Sequence, residues 1–297
     1  SGSEGLVAAG NIFMGMTESP VLIKNYLPTM NRSEIFLVMV SGMGTIAGSV
    51  MGTYIGMLGG TDPAAKVLFA THLLSASVMA VPGSIVLAKM LCPQTEEATD
   101  HVAISGKEKE NSNILDAISS GTVTGVKLMT NIAAMLLVFI SLVALANYIT
   151  EGVIGRYTGL NDWIVKITDG KAQGLTFQFI LGVITSPFMW LIGVPSQDIM
   201  LVGSLLGQKT ILNEFVAYFQ LQQWKDAGLF MYEKSILMST YILCGFANIS
   251  SIGILLGGLG VLAPEKRGLI SRIGLPAMIG GALVSVLSAT IIGMILG

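Results

Sequence analysis

Charged side chains are scarce in this sequence. Lys, Arg, Asp and Glu together make up 11% of its 297 residues, whereas soluble domains contain about 25%. Hydrophobic residues account for 52% and the mean hydropathy is +0.73. The formal net charge of -2 excludes the basic bias that binding to nucleic acid requires. This composition predicts a membrane protein.

Metal-binding and redox residues are also few. The two cysteines, Cys92 and Cys244, and the two histidines, His72 and His101, lack the spacing of a zinc or redox motif. Residues 257–260 read Gly-Gly-Leu-Gly inside an apolar segment, without the strand and lysine that a nucleotide-binding loop needs. We therefore predict no cofactor, and packing or solvated roles for these side chains.

Long apolar runs are abundant. Runs of about 20 residues or more, enough to cross about 30 Å of hydrocarbon as a helix, recur along the chain. They predict one all-α polytopic membrane unit over residues 1–297. We expect a short segment and its connection in 1–30, two spanning helices in 31–92, a polar loop and an interfacial helix in 93–127, a spanning helix in 128–150, a re-entrant hairpin in 172–220 and two spanning helices in 235–297.

Two of the expected spanning helices contain small polar residues in their middle. The stretches SGMGTIAGS at 41–49 and FANISSIGI at 246–254 predict that each helix is broken there. A short segment carrying a carboxylate, Glu18 or Glu214, precedes each break. Paired, interrupted apolar segments are typical of the midplane site of a secondary transporter, because broken helix ends expose backbone N–H and C=O groups.

The segment 172–220 is expected to enter the membrane without crossing it twice. Residues 174–195 and 199–219 are apolar, but only a few polar residues separate them and prolines interrupt the first. Two short segments of this kind favour a hairpin whose tip, at Gly193–Ser196, stays inside the protein.

Buried polar side chains are the candidate functional residues. A carboxylate at the centre of a membrane costs about 2.5–3.5 kcal/mol, so Glu18 and Glu214 either contact a substrate or are structural carboxylates bonded within the bundle. Asn248 and Ser251 share one helical face, where their amide and hydroxyl can bind a polyol or join neighbouring helices.

Two neutral side chains can supply oxygens to a cation. Asn11 in the first short segment carries an amide, and Thr45 in the first break carries a hydroxyl. Together with carbonyls freed where the chain is not helical, these oxygens are suited to a hard monovalent cation.

Four motifs together carry a family resemblance. GNIFMGMTESP at 10–20, GTIAGS at 44–49, LNEFVAY at 212–218 and FANISSIGI at 246–254 resemble the concentrative nucleoside transporter family. The resemblance implies the carboxy-terminal two thirds of a bacterial member, beginning inside the first re-entrant hairpin, so that residues 1–10 form an arm whose partner arm lies outside this chain. It further implies inverted repeats, a multi-pass protein of the cell membrane, a homotrimer, and a mobile transport domain that moves by an elevator mechanism against a rigid scaffold.

The resemblance also assigns roles to residues. It implies that Thr17 and Glu18 face the nucleobase, that Val50 lines the base pocket and that Glu214, Asn248 and Ser251 hold the ribose hydroxyls. Sodium as the coupling ion would lie between Asn11, the Met14 carbonyl, Thr45 and the Ile46 carbonyl.

Met16 departs from the family pattern. The family usually has glutamine immediately before the Thr-Glu pair, where an amide can read the base edge, and a thioether cannot replace its donor and acceptor. A polarizable thioether can lie against a larger ring, so the sequence favours purine nucleosides.

Three alternatives remain to sodium-coupled nucleoside import. A proton could be the coupling ion in the same fold, or the chain could be a passive channel. It could also be an intramembrane enzyme that uses Glu18 and Glu214 as an acid/base pair, although the sequence contains no nucleophile motif, and we predict that it is not an enzyme.

Overall fold

The computed structural model describes residues 1–96, 113–168, 170 and 172–297. Its α-helices are α1 (Gly2–Gly10), α2 (Arg32–Gly44), α3 (Gly48–Gly59), α4 (Pro63–Leu91), α5 (Ile114–Asn147), α6 (Arg156–Thr158), α7 (Leu160–Ile167), α8 (Phe177–Leu191), α9 (Ile199–Ile211), α10 (Glu214–Asp226), α11 (Glu233–Leu243), α12 (Ile249–Leu262) and α13 (Arg267–Ile295). Two 3₁₀ helices, Ser19–Ile23 and Pro264–Lys266, and a π-helix, Tyr148–Gly155, complete them. The described residues contain no strand, which confirms the predicted all-α fold.

The chain divides into two compact units. The larger unit comprises the residues up to 102 and from 180 onward, and the smaller unit comprises residues 103–179. The two predicted breaks and all predicted site residues lie in the larger unit.

The larger unit begins with α1 to α4. Asn31 starts α2 by accepting a hydrogen bond from the Glu34 N–H, and the Glu34 carboxylate accepts the Asn31 N–H, each at 3.0 Å. Between α2 and α3 the backbone at Thr45 and Ala47 is extended. The predicted break in the first spanning helix is therefore confirmed.

The same order of elements recurs in α9 to α13. Asn213 caps α10 by accepting the Val216 N–H at 2.9 Å, and Asn248 caps α12 by accepting the Ser251 N–H, also at 2.9 Å. Helices α11 and α12 are separate, which confirms the second predicted break. In both halves a short helix and a second short segment precede a broken helix and an unbroken helix of 29 residues, α4 or α13.

The predicted position of the second hairpin's tip is wrong. Gly193 has φ +83 and makes a tight turn between α8 and α9, and Ser196 in that turn is exposed. The buried junction is instead Leu212–Glu214, between α9 and α10, where no residue is more than 8% exposed. Asn213 opens that junction as a helix cap, without the glycine or proline that usually signals a turn.

The first hairpin is also more complete than expected. Helix α1 packs against the 3₁₀ helix Ser19–Ile23 and against α2, and Val7 and Ala8 are fully buried. The prediction that residues 1–10 lie inside the protein holds for one face of α1, which carries Glu4, Val7 and Ala8, whereas Leu6 on the other face is 50% exposed. The prediction that their partner arm lies outside this chain is wrong, because the chain turns after α1 and returns through Ser19–Ile23.

The middle of the chain contains one helix where two were expected. Helix α5 runs for 34 residues and shows no boundary near residue 127. The π-helix Tyr148–Gly155 follows it directly, so helical backbone continues past the predicted end at 150. No proline occurs within α5, and isolated glycines such as Gly121 and Gly125 cost a helix only about 1 kcal/mol each. Most of the predicted polar loop, residues 97–112, lies outside the described residues.

Three stretches in the described part are long and apolar enough to cross a membrane. They are Arg32–Gly59, which includes the break between α2 and α3, Pro63–Leu91 and Pro264–Ile295. All three coincide with predicted spans.

Close contact between α2 and α13 depends on glycine. A Cβ on Gly281 would lie 2.8 Å from the Met43 Cβ and 3.2 Å from the Gly44 nitrogen. Neither neighbour can move away, because both belong to the packed end of α2. Glycine therefore sets how closely these two helices approach.

Replacing Gly281 by alanine is expected to lower the free energy of unfolding by about 1–3 kcal/mol, because the added methyl group overpacks this contact. Gly268→Ala is the control, since a Cβ at Gly268 in the same helix meets no atom within 4 Å. Thermal unfolding in detergent measures both. Equal melting temperatures would contradict the close packing of α2 and α13.

Candidate functional site

The two helix breaks lie against each other. The Phe246 N–H donates a hydrogen bond to the Thr45 carbonyl at 3.2 Å. A Cβ on Gly245 would lie 2.9 Å from the Met43 carbonyl oxygen, so a larger residue cannot occupy that position at this distance. The sequence thus allows the two irregular segments to touch through their main chains.

A buried polar cluster lies at the second break. The Asn248 amide donates to Glu214 Oε2 at 2.9 Å, and Asn248 Oδ1 accepts the Ser251 N–H at 2.9 Å and the Ser251 hydroxyl at 3.0 Å. Glu214 is 7% exposed, Asn248 2% and Ser251 1%. The structure brings together the three residues that were predicted to bind hydroxyl groups.

Tyr54 joins this cluster and was not predicted. Its hydroxyl donates to Glu214 Oε1 at 3.3 Å, and its ring stacks on Tyr218 with the centroids 4.1 Å apart. The Tyr218 hydroxyl in turn donates to the Thr240 carbonyl at 2.8 Å. A tyrosine in an apolar helix carries no signal of this role in the sequence, because packing is its usual function.

Neutral oxygens gather at the first break. The Asn11 amide donates to Ser41 Oγ at 2.7 Å, and Asn11 Oδ1 accepts the Ser19 hydroxyl at 2.6 Å. The Thr45 hydroxyl donates to the Ser41 carbonyl at 3.0 Å. Asn11 and Thr45 were predicted to share a cation site, and the structure links them through Ser41. Ser19 and Ser41 were not predicted, since serines are common between membrane helices.

Two carbonyls near this cluster are free. The predicted ligands Met14 and Ile46 lie in irregular backbone, and their carbonyl oxygens accept no hydrogen bond from the described residues. Ile46 is fully buried and Met14 is half-buried. A buried carbonyl without a partner is costly, so the Ile46 oxygen is available to a cation. The residues present therefore fit an oxygen-coordinated monovalent ion.

The residues that were predicted to contact the base are more exposed than the Glu214 cluster. Glu18 is exposed and Thr17 and Val50 are half-buried. A Cβ on Gly258 of α12 would lie 3.1 Å from Thr17 Cγ2, so Thr17 packs on that helix. No hydrogen bond between described residues joins Glu18 to the Glu214 cluster. The two predicted carboxylates therefore differ sharply in environment.

Met16 lies in the core. It is 7% exposed and belongs to the apolar cluster around α2 and α13. A Cβ on Gly42 would lie 2.9 Å from the Met16 Cβ. Position 16 thus serves packing against α2 in this conformation.

The cysteines and the described histidine form no further site. Within the described ranges, no three His, Cys, Asp or Glu residues are close enough to hold a metal ion. Cys92 and Cys244 are free thiols, and His72 Nδ1 lies 3.1 Å from the Tyr241 hydroxyl. His101 lies outside the described residues.

Comparison with known proteins agrees with this architecture. Residues 72–293 match the family model described as "Na+ dependent nucleoside transporter C-terminus". The nucleoside permease NupC of Helicobacter pylori is 38% identical over all of this chain and 66% of its own length. The sodium/nucleoside cotransporter 1 of Rattus norvegicus is 39% identical over 99% of this chain and 44% of its own length.

A solved structure is similar over the same extent. CNTnw in an inward-facing substrate-bound state has a TM-score of 0.85 and 36% sequence identity over 99% of this chain and 64% of that chain. This chain spans less than two thirds of each of these three proteins. Their names are those of transporters and permeases, which agrees with the prediction that the chain is not an enzyme. The chain is a multi-pass membrane protein of the cell membrane, and it belongs to the Na+ dependent, concentrative nucleoside transporter family.

Proposed function

We propose that the chain belongs to a transporter that binds a nucleoside at the Glu214–Asn248–Ser251 cluster and imports it together with sodium. One observation carries this proposal: a buried carboxylate, already hydrogen-bonded by an amide, lies where two broken helices meet. A buried carboxylate is costly, and a function that needs it there explains its presence.

Ribose matches the chemistry of this cluster. Its vicinal hydroxyls donate hydrogen bonds to a carboxylate, and bonds to an ionised acceptor are the stronger kind. Asn248 and Ser251 supply further polar groups in the same cluster, and the Tyr54 hydroxyl donates to the other carboxylate oxygen. The exposed Glu18, the neighbouring Thr17 and the half-buried Val50 remain for the base.

Sodium matches the chemistry of the first break. The side chains there, Asn11, Ser19, Ser41 and Thr45, are neutral and do not titrate near physiological pH. An ion bound to Asn11 and Thr45, with the Met14 and Ile46 carbonyls, would also fix the segment that carries Thr17 and Glu18. Binding of the ion and of the base would then be linked through one element.

The proposal also covers the assembly of the protein and its mode of movement. CNTnw is known in outward-facing, intermediate and inward-facing states. We propose that this chain moves likewise as an elevator, with both candidate sites carried by the larger unit, in a homotrimer.

Uptake into proteoliposomes that contain the full-length protein tests the function. Labelled uridine and adenosine are offered with an inward sodium gradient, with an inward proton gradient in sodium-free buffer, and with neither gradient. Accumulation above equilibrium with sodium alone is expected. Accumulation with protons alone would mean proton coupling, equilibration without accumulation would mean a channel, and an altered product would mean an enzyme.

Preference for purine nucleosides is the finer part of the proposal and depends on Met16. Met16→Gln is expected to raise competition by uridine and cytidine relative to adenosine and inosine, because an added amide can hydrogen-bond a small base. Sodium dependence should not change. Competition uptake measures the ratio.

Met16→Leu is the matched control, since leucine keeps the packing against Gly42 and adds no amide. An unchanged ratio in Met16→Gln, together with a lower melting temperature from a buried unpaired amide, would mean that position 16 serves packing alone.

A further inference from the structure

Lys209 is a buried cation that the proposed transport mechanism does not use. It lies in the last turn of α9 with 0% of its surface exposed. Its Nζ donates to the Ile242 carbonyl at 2.8 Å and to Ser285 Oγ at 3.0 Å. Burying an ammonium inside a membrane protein is expensive, so its position calls for a function.

The partners of Lys209 lie at the second helix break. Ile242 is in the last turn of α11, where carbonyls lose their helical partners and the helix dipole favours a positive charge. The Ser285 hydroxyl also donates to the Cys244 carbonyl at 3.0 Å, and Cys244 is the first residue after α11. Lys209 therefore holds the end of α11 and the start of the break.

The first break has a corresponding arrangement with neutral groups. Asn11 is the C-cap of α1, and its side chain reaches Ser41 near the end of α2, while Lys209 lies in the last turn of α9. Thr45 bonds the Ser41 carbonyl. Each half thus places a polar side chain, an amide or an ammonium, near the end of a short helix and in contact with the last turns of the first part of a broken helix. The ammonium carries a positive charge of its own, and the amide does not.

We propose that Lys209 is the built-in cation of the second break, doing for α11 and Cys244 what the coupling sodium does at the first break. This rests on the sodium site of the proposed function. The break that it fixes ends at Asn248, whose amide donates to Glu214. Lys209 is therefore a positioning residue for the nucleoside site.

The thiol of Cys244 reports directly on the second break. It is 2% exposed, so N-ethylmaleimide should label it slowly in the full-length protein carrying Cys92→Ala and lacking any other exposed cysteine. Lys209→Met removes the charge at nearly constant volume. We expect labelling of Cys244 to become about tenfold faster or more, with or without sodium, because the break then opens more often.

Lys209→Asn distinguishes a cation site from simple packing. Asparagine leaves room and supplies a neutral oxygen, as Asn11 does at the first break. Labelling of Cys244 in this variant should be fast in choline and return towards the wild-type rate in sodium, and the Hill coefficient for sodium in uptake should rise towards two if the wild-type value is one. Lys225→Met, which removes a half-buried lysine of α10 that pairs with Asp226 away from either break, should behave as wild type.

Ser285→Ala tests the same link with a smaller change, in case the lysine variants do not fold. It removes the hydroxyl between Lys209 and Cys244 and should speed labelling severalfold. Ser288→Ala is its matched control, since among the described residues the Ser288 hydroxyl bonds only the Val284 carbonyl of its own helix.

The proposal is overturned if Lys209→Met and Ser285→Ala label like wild type, or if sodium protects Lys209→Asn no better than Lys209→Met. Labelling does not require transport. A wild-type protein that binds no nucleoside would therefore contradict the proposed function, while labelling would still decide the role of Lys209.

Discussion

Glu214→Gln is expected to weaken nucleoside binding by about 10- to 150-fold, the equivalent of losing about 1.5–3 kcal/mol of hydrogen bonding to a charged group. The variant keeps the shape of the side chain but offers ribose a weaker acceptor. It also turns one oxygen into a donor beside the Asn248 amide. Binding of the matching free nucleobase should hardly change, because the base lacks the hydroxyls that this cluster serves. Calorimetry in sodium measures both ligands.

Asn248→Ala and Ser251→Ala should show the same pattern, because each residue belongs to the same hydrogen-bonded cluster. Glu233→Gln makes the same chemical change at an exposed position in the first turn of α11 and should bind nucleoside as wild type does. Equal losses for nucleoside and nucleobase would show that these side chains do not select the ribose.

Asn11→Ala is expected to raise the sodium concentration for half-maximal uptake by about 10- to 30-fold. It removes one proposed ligand, and it also leaves Ser19 and Ser41 without two hydrogen bonds of about 1 kcal/mol each. Thr45→Val should act in the same direction by a smaller factor, since it removes one hydroxyl and keeps the volume. Initial uptake rates over a range of sodium concentrations measure the effect.

Thr290→Val is the control for Thr45→Val, since the one partner of the Thr290 hydroxyl in the described part of the chain is the Val286 carbonyl within α13. Maximal uptake by Thr45→Val at saturating sodium should stay close to that of wild type. A lower maximum with unchanged half-saturation would place the role of Thr45 in folding or movement and would contradict a sodium ligand.

The breaks could be predicted because local chemistry sets them. Asn248 is a helix cap by side-chain chemistry, and the glycines near Thr45 weaken a helix whatever surrounds them. A few neighbouring residues are therefore enough to predict each helix break. That Glu214, Asn248 and Ser251 lie together was expected from the family resemblance, which assigns all three to the ribose hydroxyls.

The failures concern features that distant residues decide. The hairpin tip was assigned to Gly193–Ser196 because glycine and proline mark turns, but burial of Leu212–Glu214 is a tertiary property. The contacts of Tyr54 and Lys209 could not be predicted either, because each side chain bonds a residue far along the chain, Glu214 or Ile242. The uninterrupted α5 was missed for the opposite reason, since its polar residues suggested a boundary that helix propensity does not impose.

The hydrogen bond from the Phe246 N–H to the Thr45 carbonyl joins the two breaks through the main chain alone. No substitution other than proline at position 246 can delete it, because every other residue supplies the same N–H. Side chains around both sites can therefore diverge during evolution while the mechanical link between them is inherited unchanged. Substitutions that change the selectivity for the base can therefore accumulate while the backbone contact between the two breaks is retained.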